Sequence, residues 1–146
     1  MNKMKIIIIF LLFVTIDCFS QNGINKIKFV FTEEGIINAL ATSCTVESFN
    51  EFENLDFKII KEKEFLHKFA NLFSKLEPDS TVFVIDARIM TIISYSDIKK
   101  KDTLCFGEYH GIDLNGSFMK DNSALHQLVR KKIWPRNISD SLMLMQ

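Results

Sequence analysis

The stretch Thr81-Val82-Phe83-Val84-Ile85-Asp86-Ala87-Arg88-Ile89-Met90-Thr91-Ile92-Ile93-Ser94-Tyr95 is the chain's richest run of β-branched and aromatic residues. How it divides decides the fold. An ordinary strand has about five or six residues, and this run is far longer. Asp86-Ala87 interrupts its apolar character, so a bend, a bulge or a tight reversal is expected there.

Downstream, Ser96 to Asp102 with its three lysines, Lys99, Lys100 and Lys101, reads as an exposed turn. Residues 103–109 return as a strand. Asn115-Gly116 is the dipeptide that best supplies positive φ at both turn positions, so a hairpin should join Ile112–Leu114 to Ser117–Met119. A helix over 123–133 follows, with Asp121, Asn122 and Ser123 as competent N-caps and Leu125, Leu128, Val129 and Ile133 on one face. Its last turn carries Arg130, Lys131 and Lys132, where cations favour the helix dipole. Pro135 ends it.

Upstream, the clearest element runs from Glu62 to Leu76. Phe65, Leu66, Phe69, Leu72, Phe73 and Leu76 recur at helical spacing, while Lys63, His67, Lys68, Asn71, Ser74 and Lys75 fill the other face. Pro78 and Asp79 stop it. Residues 26–32 alternate as a strand through Ile27, Phe29 and Phe31, and Phe57 to Ile60 reads as a brief second one. Residues 32–41 stay ambiguous, and Phe49 and Phe52 suggest a short helix within 43–53.

The expected fold is therefore α+β: an antiparallel sheet of four or five strands with helices 62–76 and 123–133 on one face. The expected core comprises Phe29, Phe31, Phe65, Phe69, Leu72, Phe73, Val84, Ile93, Leu104, Phe106, Leu125, Leu128 and Val129.

The N-terminus reads differently. Lys3 and Lys5 precede the apolar run Ile6–Ile16, and Cys18 and Ser20 stand three and one before a cut between Ser20 and Gln21. That is the pattern of a cleavable signal peptide over 1–20. A transmembrane anchor fits less well, because eleven helical residues span about 16 Å against roughly 30 Å of bilayer hydrocarbon. Lipidation at Cys18 fits poorly with Thr15 and Asp17 before it. The expected organisation is a signal peptide, one globular domain over 21–135, and a tail over 136–146.

The whole chain has 146 residues, is 47% hydrophobic, and balances 18 basic against 18 acidic side chains. Without residues 1–20 it is about 44% hydrophobic with a net charge of about −1, the composition of an ordinary globular domain with no membrane span. Charge balance argues against a nucleic-acid partner, which usually calls for a basic excess. Cys44 and Cys105 remain. A bridge between them would close a loop of about sixty residues, for roughly 4 kcal/mol in the chain-entropy view. Two separately buried thiols are the alternative reading.

Catalytic patterns are thin. Cys105 and His110 are five apart, so an extended strand would put them on opposite faces about 16 Å apart. His67 points away from the apolar face of its helix. Glu108 and His110, with Asp113 beyond, would share a strand face, but no further ligand completes a metal shell. Asp86 and Arg88 are spaced for an ion pair across the bend. Lys99–Lys101 and Arg130–Lys132 with Arg136 are basic, whereas residues 33–79 are predominantly acidic; a solvated turn and an ordinary helix C-terminus are the plainer reading, and a charge-polarised surface is the alternative. Asn115-Gly-Ser and Asn137-Ile-Ser match a glycosylation pattern that arises easily by chance in an Asn-rich, bacterial-looking vocabulary.

The candidate binding residues are thus Asp86, Arg88, Glu108 and His110, with no catalytic set, no metal and no cofactor expected. The leading expectation is a non-enzymatic binding or inhibitor-like protein of the periplasm or cell exterior, its partner an unidentified protein or envelope component. A small secreted hydrolase or thiol enzyme, using Cys105 or Asp86 with a histidine recruited in space, is one alternative. A structural cell-envelope protein is the other.

Overall fold

The interruption in the long β-rich run falls at Arg88. In the computed structural model, which describes residues 23–35, 41–81, 84–96 and 99–135, strand β3 begins at Ala87 and runs to Tyr95. Ala87 pairs with Gly107 and Ile89 with Phe106, leaving Arg88 as the extra residue of a bulge. The bulge changes which face each side chain meets. Ile89 and Ile93 pack toward one cluster, and Ala87 and Met90 toward another. Val84 precedes the strand and is 69% exposed, so its expected place in the core is wrong. Upstream of the bulge no pleat directs it inward.

The remaining strands are β1 (Ile24–Phe31), β2 (Asp56–Ile60), β4 (Lys101–Gly107), β5 (Ile112–Leu114) and β6 (Ser117–Met119). They form one antiparallel sheet in the order β2-β1-β3-β4-β5-β6. Six strands replace the expected four or five. The brief segments 57–60, 112–114 and 117–119 all pair fully, and β4 starts two residues early. That early start takes Asp102 out of the expected exposed turn and buries it. The hairpin forms as expected, with φ of 53° at Asn115 and 83° at Gly116.

Helices α2 (Lys63–Phe73) and α3 (Ser123–Ile133) cover one face. Phe65, Phe69 and Phe73 stack along α2 at 6.2 and 5.9 Å, and Phe65 meets Phe29 edge-on at 6.1 Å. Leu125, Val129 and Ile133 complete the core from α3, while Leu72, Phe73 and Leu128 pack at its margin, half-buried. Asn122 caps α3 by accepting from the Leu125 N–H at 3.0 Å.

The opposite face carries a smaller cover: residues 41–55 with the short helix α1 (Val46–Asn50). Phe49 inserts against Ala87, Met90 and Cys105. Cys44 and Cys105 form a disulfide with Cα atoms 5.7 Å apart, joining this cover to the middle of β4. Among the described residues no helix is long and apolar enough to cross a membrane. The expected signal peptide (1–20) and tail (136–146) lie outside the described residues.

Candidate functional site

All four singled-out residues belong to one pole of the sheet, where β1 ends, β3 begins and β4 turns toward β5. There they form two separate groups. Arg88 is only 4% exposed. Its Nε and Nη2 donate to Asp86 Oδ2 at 3.0 and 2.6 Å, making the ion pair the spacing allowed. Asp86 Oδ1 accepts from the Thr42 N–H at 3.1 Å, and Ala87 N–H donates to the Thr42 carbonyl at 2.8 Å. The guanidinium also lies 5.9 Å from the Phe52 ring centroid, with Nη1 buried and unbonded. Both carboxylate oxygens are occupied by donors, so the arrangement ties the 41–55 cover to the start of β3.

Glu108 and His110 do not share a strand face. β4 ends at Gly107, where the chain turns sharply and the Gly107 N–H donates to the Gly111 carbonyl at 3.0 Å. A Cβ on Gly107 would sit 2.1 Å from the His110 carbonyl oxygen, so this turn admits only glycine. Glu108 Oε1 accepts from the Gly35 N–H at 3.0 Å, pinning the turn after β1. His110 is exposed. The chain does not stay extended between Cys105 and His110, but the Cys105 sulfur is bonded to Cys44.

Between these loops and the end of α3 lies a feature built from residues the sequence reading did not combine. The Arg130 guanidinium is 4.6 Å from the Tyr109 ring centroid and 5.7 Å from that of Trp134. Glu34 accepts a hydrogen bond from Arg130 Nη2. Trp134 is fixed in turn: its Nε1–H donates to the Thr32 carbonyl at 3.1 Å, and its ring meets Phe31 edge-on at 6.3 Å. Tyr109 is 66% exposed, and its hydrogen bond to Glu108 raises its phenol above the ordinary range. Beside this stack opens a groove of about 630 Å³ lined by Glu34, Gln127, Arg130, Lys131, Trp134 and Pro135. A second, shallower furrow of about 490 Å³ runs between α2 and α3, among His67, Lys68, Lys75 and Lys131. Among the described residues, no Phe, Tyr or Trp side chain lines it.

His126 lies just behind, 4% exposed, with its ring 5.4 Å from Phe106. Its Nε2 is 2.7 Å from the Gly107 carbonyl. Burial lowers its pKa below the usual histidine range despite that bond, so the ring is neutral near pH 7 and Nε2–H is the donor. At the other end of the sheet, Asp102 accepts from Tyr95 Oη–H at 2.5 Å and from Asn115 Nδ2 at 2.9 Å. Burial alone would raise the Asp102 carboxyl. Hydrogen bonds from Tyr95, Asn115 and Lys100 outweigh it and leave the carboxyl below its ordinary value. This network locks the β5–β6 turn to β4, since Asn115 Oδ1 also accepts from the Thr103 N–H.

The polarity seen along the sequence is partly offset in space. Glu34–Arg130, Glu62–Lys132 and Glu77–Lys120 pair acids of the 33–79 region with cations beyond residue 119. Among the described residues, no group of three or more His, Cys, Asp and Glu side chains is placed to hold a metal ion. No protein-family profile matches the sequence, and no curated protein or solved structure matches it. The sequence signal that could have found the stack was the chain's single tryptophan, one turn after Arg130 on the same helix face.

Proposed function

We propose that the protein is an exported, non-enzymatic binding or inhibitor-like protein of the periplasm or cell exterior, which engages a protein partner through the groove beside the Tyr109–Arg130–Trp134 stack. The observation that carries this reading is the preparation of those three side chains. Arg, Tyr and Trp are the residue types that contribute most to protein interfaces. Here the guanidinium is already stacked and ion-paired, and Trp134 is already hydrogen-bonded, so little side-chain freedom remains to be lost on association. The exposed Tyr109 ring offers apolar area at the rim.

The chemistry around the groove supports binding over turnover. His126, the nearest buried histidine, commits Nε2 to a backbone carbonyl, and the Cys105 sulfur is spent in the disulfide. Export is supported by that disulfide, since such bridges persist in oxidising compartments, together with the composition of residues 1–20.

A photo-crosslinking residue placed at Tyr109 in the exporting cell tests the binding half. The expected result is one discrete adduct, absent when the crosslinker replaces the equally exposed Val84 and weakened by Arg130→Glu. The same adducts from both positions would overturn it. N-terminal sequencing of the exported protein tests the other half, with Gln21 expected as the first residue and retention in the cytosol as the contrary result.

A further inference from the structure

The two edges of the sheet are treated differently. The β6 edge is short and closed: Pro78 bridges to Met119, Asp79 N–H donates to the Phe118 carbonyl at 2.9 Å, and Lys120 N–H donates to the Glu77 carbonyl at 2.8 Å. Among the described residues nothing pairs with the outer edge of β2. Its outward alternate positions are Phe57, 69% exposed, and Ile59, 50% exposed. Lys28 lies over the Phe57 ring at 5.6 Å and leaves most of it in solvent. An open edge with exposed aromatic and β-branched side chains is a template for another strand.

The sequence of β2 indicates which strand. A second copy related by a two-fold axis normal to the sheet must pair residues whose numbers sum to an even value, so that each face continues into its counterpart. Centring on Lys58 sets Lys58 against itself. Centring on Ile59 sets Phe57 against Lys61. Centring on Phe57 sets Phe57 against Phe57, Leu55 against Ile59, and Asp56 against Lys58 twice over. That last register alone opposes opposite charges directly across the strands while pairing the exposed apolar side chains. We propose that β2 is the docking strand for a second copy of this chain in the Phe57-centred register, extending the sheet to twelve strands. The surface is distinct from the Arg130 groove, so this dimer and the proposed binding activity stand or fall separately.

Sedimentation velocity over a concentration series, on the disulfide-intact protein, tests the register. The wild-type chain is expected to dimerise reversibly. Asp56→Lys and Lys58→Asp should each weaken the dimer by roughly tenfold or more, because each opposes like charges twice. Mixing the two singly substituted proteins in equal amounts should restore association, since every cross-strand pair is then opposite in sign. Lys58 also donates to the Lys132 carbonyl at 2.8 Å, so thermal melting checks that its variant folds. Phe57→Glu, at an exposed position, is the independent variant and should abolish the dimer. A wild-type chain that stays monomeric at every concentration overturns the proposal. So does a dimer that ignores all three substitutions, or a mixture of folded variants that fails to recover association.

Discussion

The two faces of one sheet are closed by different means. On the helix face, sixteen buried apolar residues from six strands and two helices form one cluster, and no covalent bond is needed. On the other face the buried cluster has four members, Phe49, Ala87, Met90 and Cys105. Burying Phe49 contributes about 2 kcal/mol, whereas ordering the backbone of residues 41–55 costs roughly 1–2 kcal/mol per residue. Apolar contact cannot hold that segment. It is fixed by a disulfide and a half-buried ion pair, Cys44–Cys105 at one point and Asp86–Arg88 with Thr42 at another. Where the apolar area is small, covalent and charged ties replace it.

The sharpest way to break this contrast is to remove the bridge. Replacing Cys44 and Cys105 together by alanine should cost about 2–4 kcal/mol. Hydrogen exchange should show residues 41–55 losing protection while α2 and α3 keep theirs. Loss of protection on both faces at once would mean that the two covers are one cooperative unit.

A smaller effect, opposite in sign, is expected on the helix face. The Thr91 hydroxyl is buried there with no hydrogen-bond partner. Thr91→Val removes the unsatisfied group at nearly constant volume and should stabilise by about 1 kcal/mol, read as a higher urea midpoint at unchanged slope.

The smallest effect is a pH dependence confined to the helix face. His126 holds a lowered pKa through burial, so the unfolded chain takes up its proton more readily than the folded one. Stability is then fully present above the ordinary histidine value of about 6.5 and declines as pH falls from there toward the lowered folded value. His126→Gln, which keeps a neutral donor near the Gly107 carbonyl, should flatten that part of the profile of melting temperature against pH.

Much of the fold was legible because its signals are local. The α2 stripe, the Asn115-Gly116 turn and the capped start of α3 each depend on residues within a turn or two of one another. The interruption near Asp86 was legible too, although not its consequence: a bulge at Arg88 reassigns faces, and Val84 lies on the far side of it. Strand number was underread because β2, β5 and β6 are three to five residues long and gain their pairing from neighbours distant in sequence. The site was harder for the same reason. Asp86 with Arg88 was readable at a spacing of two, but Glu34 and Arg130 are 96 residues apart. Glu108 and His110 shared a strand face only on the assumption that the segment stays extended past Gly107, where the strand in fact stops.

The strand order also sets a sequence of events during folding. β3 through β6 form a meander in which each strand pairs with the next one along the chain. β1 lies between β2 and β3, and β3 begins only at Ala87. As the chain is synthesised, β1 is thus among the first segments made and must wait for more than fifty further residues before its inner neighbour exists. Closing that long loop makes β1 docking the slow, entropically uphill event. Until it occurs, β1 has only the short β2 to pair with, and Phe29 and Phe31 lack the inner neighbour that completes their sheet.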